Sequence, residues 1–430
     1  MRSRMDVEHL RCFIPVGGKA NRLRPLTHDM SKPCIRFLNR PLIEFSMATL
    51  AEQGVRNFMF GEYGFTNYSN LFDQFGEGVG FSAKYQIVPR VHIKHQPNLD
   101  DLGSADSYRL NMQYYDINDP VLVVQGDNLF ELDLKDLMAK HEEKNALMTV
   151  ALTKVQEVEQ FGIADLDENM RIRRFIEKPK LQTSPSNFAN AGIYLLSQGA
   201  RKIVESEEVR SLMEQRHRLD FGFDFIPYLV EKGFPVFGYE LKVWYDIGSP
   251  ERYLTAMRDT LNGRLNIRIQ EERIFPNRNI WVQGYSEDSI KRREQIIRQC
   301  NEGKLTINDA ALIGRHTRIG EYSVLSNSAI DNFCTLGEHV TIDGSAVMDA
   351  VKIGDYASLS ASIAGRKARI ESTREQPTIL ASSVIGNDVR IMSGCKLIET
   401  KVNPGLTIPQ GMTYTSKFLE SYEDIVRLAT

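Results

Sequence analysis

The chain has 430 residues, 42% of them hydrophobic and 25% charged, which is too long for one ordinary core and points to two domains. Its net charge is −3 with acidic and basic residues interspersed, so no broad positive field marks nucleic acid or an anionic membrane as a partner. Cys12, Cys34, Cys300, Cys334 and Cys395 are scattered and form no Cys-x-x-Cys pair, and no run of about 18 apolar residues occurs; disulfides, structural zinc and a membrane span are set aside, and a soluble, cytoplasmic protein is expected.

Over residues 1–263, short apolar strands alternate with helical segments, the pattern of an α/β domain around a mostly parallel, Rossmann-like sheet. Strands are expected at Phe13 to Val16, Asn57 to Phe60, Lys84 to Val88, Pro120 to Val124, Leu147 to Leu152 and Gly192 to Leu195. A helix is expected from Pro41 to Gln53 with Gly54 as its C-cap, and another with Ser249 as N-cap and Pro250 in its first position. Residues 264–304 read as a polar connector, whose basic run Ile290 to Gln299 suits a solvated helix. In residues 305–430, Leu312-Ile313-Gly314, Arg318-Ile319-Gly320, Thr335-Leu336-Gly337, Lys352-Ile353-Gly354 and Val384-Ile385-Gly386 place apolar residues before glycine about every six positions. That recurrence is the sequence form of a left-handed parallel β-helix built from hexapeptide repeats, with exposed edges suited to homo-oligomer formation.

Chemistry-bearing residues gather where strands end, as they do in open α/β sheets. After Phe13 to Val16 come Gly17-Gly18, which let the backbone approach a polyphosphate, and then the cations Arg22 and Lys32. After Pro120 to Val124 comes Gln125-Gly126-Asp127-Asn128, whose carboxylate is placed to hold Mg²⁺ against a triphosphate; read alone, an ordinary Asp-Asn turn is the simpler account. Asp246 lies in Trp244-Tyr245-Asp246-Ile247-Gly248-Ser249, and Glu177-Lys178-Pro179 read alone is a solvated pair before a proline.

Taken together, these segments resemble the sugar-1-phosphate nucleotidyltransferases, or NDP-sugar pyrophosphorylases. That family's loop reads Gly-Gly-x-Gly-Thr-Arg-Leu-x-Pro-Leu-Thr, followed by Pro-Lys-Pro. Here Ala20 stands for its third glycine, Asn21 for its threonine and Ser31 for the proline before Lys32, and Ala20 puts a Cβ where the family has none. The resemblance implies transfer of a nucleotidyl group from a nucleoside triphosphate to a sugar 1-phosphate. Gly17 and Gly18 would cradle the triphosphate, Arg22 and Lys32 neutralise the leaving pyrophosphate, and Asp127 with Asp246 hold Mg²⁺. Lys178 would meet the sugar phosphate and Glu177 the sugar hydroxyls, with Asn190 of Asn190-Ala191-Gly192-Ile193-Tyr194 and Gly162 of Phe161-Gly162 closing over the sugar. Gly103, Ser104 and Gln96 would face the base, although more than one alignment fits Gln96. Asp220-Phe221-Gly222-Phe223-Asp224 biases the sugar toward glucose 1-phosphate, then mannose 1-phosphate, and leaves UTP, dTTP, ATP and GTP open. Two alternatives stand beside this: a catalytically weak regulatory paralogue, favoured by Ala20, Asn21 and Ser31, and a bifunctional enzyme with an acetyltransferase site on the β-helix, where His316 and His339 are isolated candidates.

Overall fold

The computed structural model describes residues 5–427 except 19, 101 and 270–272. The chain forms two compact units: the residues up to Gly18 together with Leu42–Asp246, and the segment ending at Pro41 together with everything from Ile247 onward.

The first unit is built on strands β1 (Arg11–Val16), β2 (Asn57–Tyr63), β3 (His92–Asn98), β4 (Val121–Val124), β5 (Asn128–Phe130), β6 (Met148–Lys154), β7 (Gly162–Leu166), β8 (Ile172–Glu177), β9 (Phe188–Leu196), β10 (Val236–Glu240) and β11 (Trp244–Asp246). The main sheet runs β8-β7-β9-β4-β1-β2-β3, with β6 beside β9 and β10 beyond β6. Strands β4, β1, β2 and β3 are mutually parallel, and β9 joins β4 antiparallel. The four residues of β4, Val-Leu-Val-Val, are all buried, as a parallel strand covered on both faces requires. The expected helix after β1 spans Leu42–Glu52, and Gly54 ends it with φ +108°.

One expected strand is absent. Lys84 and Tyr85 lie in the helix Val79–Tyr85, where both side chains reach Glu44 at 2.5 Å, and Val88 is 86% exposed. The apolar residues of 84–88 therefore do not share one buried face, which is what a strand there would need. The strand beside β2 is instead β3, His-Ile-Lys-His-Gln-Pro-Asn, whose polar residues suit a sheet edge and hide it from a hydrophobic pattern.

The second unit is dominated by a parallel β-helix. Thr335 pairs with Lys352 and Lys352 with Arg369, a step of 17, while Arg369 pairs with Arg390 across one longer coil. Each coil turns through corners that use left-handed backbone, as at Tyr322, His339 and Tyr356. Inside one corner runs a ladder of buried hydroxyls: Ser345 N donates to Ser328 Oγ, Ser362 N to Ser345 Oγ, and Ser383 N to Ser362 Oγ. Each hydroxyl takes up an amide that stacked coils would otherwise bury without a partner. Part of the stretch 264–304 is built into this domain, since Ile280–Val282 pairs with Ala311 to Ile313. The basic run lies in the helix Glu287–Asn301, but it is not merely solvated: Arg292 donates to the carbonyls of Gly314 and Gln283, and Arg293 to that of Gly284. Ile296 of that helix and Ile425 of Tyr422–Arg427 join the β-helix core.

Candidate active site

Strands β1 and β4 pair in parallel register, Phe13 opposite Val123, so the turns that follow them leave the same edge of the sheet side by side. Gly17-Gly18 follows the first and Gln125-Gly126-Asp127 the second. A Cβ on Gly18 would meet nothing within 4 Å, which leaves space over that turn. Strand β11 pairs antiparallel with β5, Asp246 opposite Asn128, and this ribbon sets Asp246 next to the position of Asp127.

The ribbon is pinned to β9. Trp244 Nε1 and Asn128 Nδ2 both donate to the Ala191 carbonyl at 3.0 Å, and Gln125 N donates to Gly192 O at 2.9 Å. Gly192 has φ +73°, and a Cβ there would meet Gln125 Cγ at 2.6 Å, so the close approach itself demands glycine. Asn190 shapes this irregular stretch of β9: its Oδ1 accepts from Gly192 N at 2.9 Å and its Nδ2 donates to the Tyr194 hydroxyl at 2.8 Å. Among the described residues, no group of three or more His, Cys, Asp or Glu side chains forms a closed metal site. Two carboxylates on neighbouring ribbon positions fit a hard cation that takes its remaining ligands from phosphate and water, as Mg²⁺ does.

A second cluster forms where β8 ends. Glu177 pairs with Gly162, and a Cβ on Gly162 would overlap the Glu177 carboxylate; one on Gly222 would meet it at 2.6 Å. Burial pushes the Glu177 carboxyl up to about 7, opposed by Lys178, reinforced by Asp220 and opposed again by Arg218. Lys178 takes φ +50° and its ammonium lies 5.2 Å from the centre of the Phe223 ring, while the Arg218 guanidinium lies 4.4 Å from the same ring. Arg218 is also held by the buried Asp224, at 3.2 Å. Two cations thus share one aromatic ring beside a protonatable acid, a set able to receive a phosphate and a polyol.

Ser104 opens the helix Ser104–Tyr114, and its hydroxyl donates to Asp220 at 2.7 Å; the Ala105 and Asp106 amides donate to Leu219 O at 3.0 Å. Gly103 has φ +118°, and a Cβ there would meet Leu219 O at 2.6 Å. Gly103 and Ser104 therefore tie the start of this helix to the Asp220 turn. Gln96, on β3, bonds weakly at 3.5 Å to its neighbour Pro97. His95 beside it is committed to Glu62 and the Gly76 carbonyl, each at 2.8 Å.

Arg22 is exposed on the short turn Asn21–Leu23, and Lys32 opens the turn Lys32–Cys34; both belong to the second unit. Ala20, just before Arg22, takes φ 44° and ψ 41°, the left-handed conformation that glycine adopts without strain. On the β-helix, the His316 ring stacks on Phe333 at 4.9 Å, and His339 stacks between Tyr322 and Tyr356 at 5.1 and 4.6 Å. Arg218 and the anchoring role of Asp220 were not legible from sequence. Arg218 joins Lys178 through the shared Phe223 ring and the Glu177 carboxyl, and no local pattern announces that.

Residues 13–263 match the family model described as nucleotidyl transferase, and residues 294–397 match that of the left-handed β-helix (LbH) domain of EIF2B subunit epsilon. The chain is 28% identical over 282 residues to a UTP--glucose-1-phosphate uridylyltransferase of Synechocystis sp., covering 62% of this chain and 68% of that one. It is 26% identical over 332 residues to a glucose-1-phosphate adenylyltransferase of Clostridium botulinum, covering 74% and 83% respectively. A glucose-1-phosphate adenylyltransferase of Mycoplasma mobile is also 26% identical, over 280 residues, covering 62% of this chain and 71% of that one. With a carboxylate ribbon and a glycine turn at the ends of its parallel strands, and the first family model matching more than half its length, the chain belongs to the nucleotidyl transferase family.

Proposed function

We propose that the chain joins a sugar 1-phosphate to a nucleoside triphosphate. An oxygen of the sugar phosphate attacks the α-phosphorus, the bond from that phosphorus to the α–β bridging oxygen breaks, and pyrophosphate leaves as the NDP-sugar forms. The observation that carries this reading is the presence of two charge sets: the carboxylates Asp127 and Asp246 at the start of one ribbon and opposite it, and the cations Lys178 and Arg218, both over the Phe223 ring, next to Glu177. The nucleophile is already an anion, so no side-chain base is required, and positioning with charge neutralisation dominates.

Asp127 and Asp246 would hold Mg²⁺, which supplies a Lewis acid and a template at the α-phosphate. Gly17 and Gly18 leave room for the triphosphate backbone, and Arg22 with Lys32 neutralises the leaving group. Lys178 and Arg218 hold the sugar phosphate in line. Glu177, seated against Gly162, exchanges hydrogen bonds with sugar hydroxyls, and Asn190 keeps β9 in shape around it. Gln96 and the backbone at Gly103 and Ser104 border the base. The names of the relatives support glucose 1-phosphate as the sugar and UTP or ATP as its partner; mannose 1-phosphate, dTTP and GTP are carried as further candidates from the sequence resemblance alone. Self-association would use the side faces of the β-helix, because helices contribute to its core near both ends.

The test is pyrophosphate release with Mg²⁺ across those four nucleotides and the 1-phosphates of glucose, mannose, galactose and N-acetylglucosamine. One strong combination supports the transferase and names its product. A blank grid with retained nucleotide binding would favour the regulatory paralogue, the reading that the left-handed Ala20 supports.

A further inference from the structure

Arg36 lies four residues after Lys32. Its guanidinium forks onto Asp331 of the β-helix, Nε to Oδ2 at 2.6 Å and Nη2 to Oδ1 at 2.8 Å, and Asp331 is only 1% exposed. The Arg36 carbonyl accepts from the Tyr253 hydroxyl at 2.6 Å, and the Phe37 and Tyr253 rings meet edge-on at 5.1 Å. Tyr253 belongs to the helix Pro250–Leu261, which begins four residues after Asp246. The same loop holds the solenoid at two further points: Asn39 Nδ2 donates to Ile330 O at 3.1 Å, and Asp29 Oδ1 accepts from Asn387 Nδ2 at 2.9 Å.

Within its own coil, Asp331 Oδ1 accepts from the Asn332 amide at 2.7 Å, a bond that an uncharged amide oxygen would serve as well. The stacked positions 283, 314, 331, 348, 365, 386, 403 and 420 carry Gln, Gly, Asp, Met, Gly, Gly, Asn and Glu; Glu420 is exposed, so Asp331 is the single buried charge in its column. A buried bidentate ion pair adds little net stability over an apolar pair of the same volume, because desolvation offsets the attraction; what it fixes is geometry. A charge buried once in its column and forked by an arginine of the loop that carries Arg22 and Lys32 is therefore explained by what it orients.

We infer that Asp331 and Arg36 are positioning residues through which the β-helix holds the loop carrying Arg22 and Lys32, making turnover dependent on a solenoid coil that touches no substrate. Through Tyr253, the same junction anchors the helix that follows Asp246. The kinetic consequence rests on the roles proposed above for Arg22 and Lys32; the holding of the loop does not.

The test compares the full-length protein with Asp331→Asn, with the milder Arg36→Lys, and with the apolar pair Arg36→Met/Asp331→Leu. Hydrogen–deuterium exchange is measured over residues 20–41 and over the coils 341–408, alongside steady-state kinetics for each substrate. In Asp331→Asn, exchange in 20–41 should rise severalfold while the coils stay protected. The kcat/KM for nucleotide should fall by up to about a hundredfold, the scale of a misplacement of roughly 1 Å, with KM for sugar 1-phosphate unchanged. Arg36→Lys should move both in the same direction by less, and the apolar pair should recover thermal stability without recovering nucleotide kcat/KM. Unchanged exchange in 20–41 in both folded single variants would overturn the inference. So would equal losses toward both substrates that merely track thermal stability. If the parent shows no turnover with any substrate, the proposed reaction fails, and the exchange comparison alone decides whether Asp331 holds the loop.

Discussion

In the sheet unit, a Cβ on Gly162 would run into the Glu177 carboxylate, and one on Gly192 into Gln125 and Asn128. In the β-helix, a Cβ on Gly314, Gly320 or Gly386 would run into the backbone of the next coil. The first set makes room for individual side chains around a site, so each position is unique. The second makes room for repetition, so each position has counterparts one coil away. Polar groups divide in the same manner. The sheet unit sequesters single groups such as Glu177 and Asn190, whereas the solenoid satisfies its amides with a ladder of hydroxyls. Where the solenoid buries a charge in one column, at Asp331, the exception faces a loop bearing candidate site residues.

The comparison breaks most decisively at Asp127. Asp127→Asn should lower the rate of pyrophosphate release by about 10²–10³-fold, on the scale of losing one charge-stabilising contact, while the melting temperature barely moves. Undiminished turnover would remove Asp127 from the site. Gly314→Ala should do the opposite: a methyl forced into stacked backbone costs about 3 kcal/mol by overpacking, seen as a lower melting temperature. If it instead left stability intact and altered only kinetics, the division between the units would be wrong.

A pH titration sharpens the contrast. The Glu177 carboxyl is raised from 4.5 to about 7 in the folded protein, chiefly by burial. The folded state then binds more protons than the unfolded one between those values, so stability is greatest below about pH 4.5 and declines as pH rises toward 7. The loss amounts to at most about 3 kcal/mol, less where solvent screens the group. Glu177→Gln should flatten that part of the melting-temperature profile, and an unchanged profile would assign the slope elsewhere. The smallest effect is expected from Ala20→Gly. Releasing a left-handed alanine is worth about 1–2 kcal/mol, and the extra freedom glycine brings to the unfolded chain offsets about 0.5–1 kcal/mol of that. Calorimetry would register the remainder, and a destabilised variant would show that the loop is not strained at this residue.

The glycine turn and Asp127 could be found in sequence because apolar strands precede them, and parallel strands deliver their following residues to one edge. Strand β3 could not, because an edge strand with His, Lys, Gln and Asn carries no hydrophobic alternation. Residues 84–88 misled for the converse reason: their apolar side chains lie near one another in sequence but not on one buried face. The repeat was visible from its glycines. Its true step of 17, one short of three hexapeptides, emerges only from the stacking of coils.

By itself, the order of residues determined the α/β half, the coiled half and most of the groups that could do chemistry, since those depend on local periodicity and on which residue follows which strand. Tertiary structure decided the pairing of Asp246 with the strand after Asp127, the sharing of Phe223 by Lys178 and Arg218, and the packing of the Arg22 and Lys32 loop with the β-helix unit. Each of these joins residues far apart along the chain, and such contacts form only because burying apolar surface closes the long loops between them.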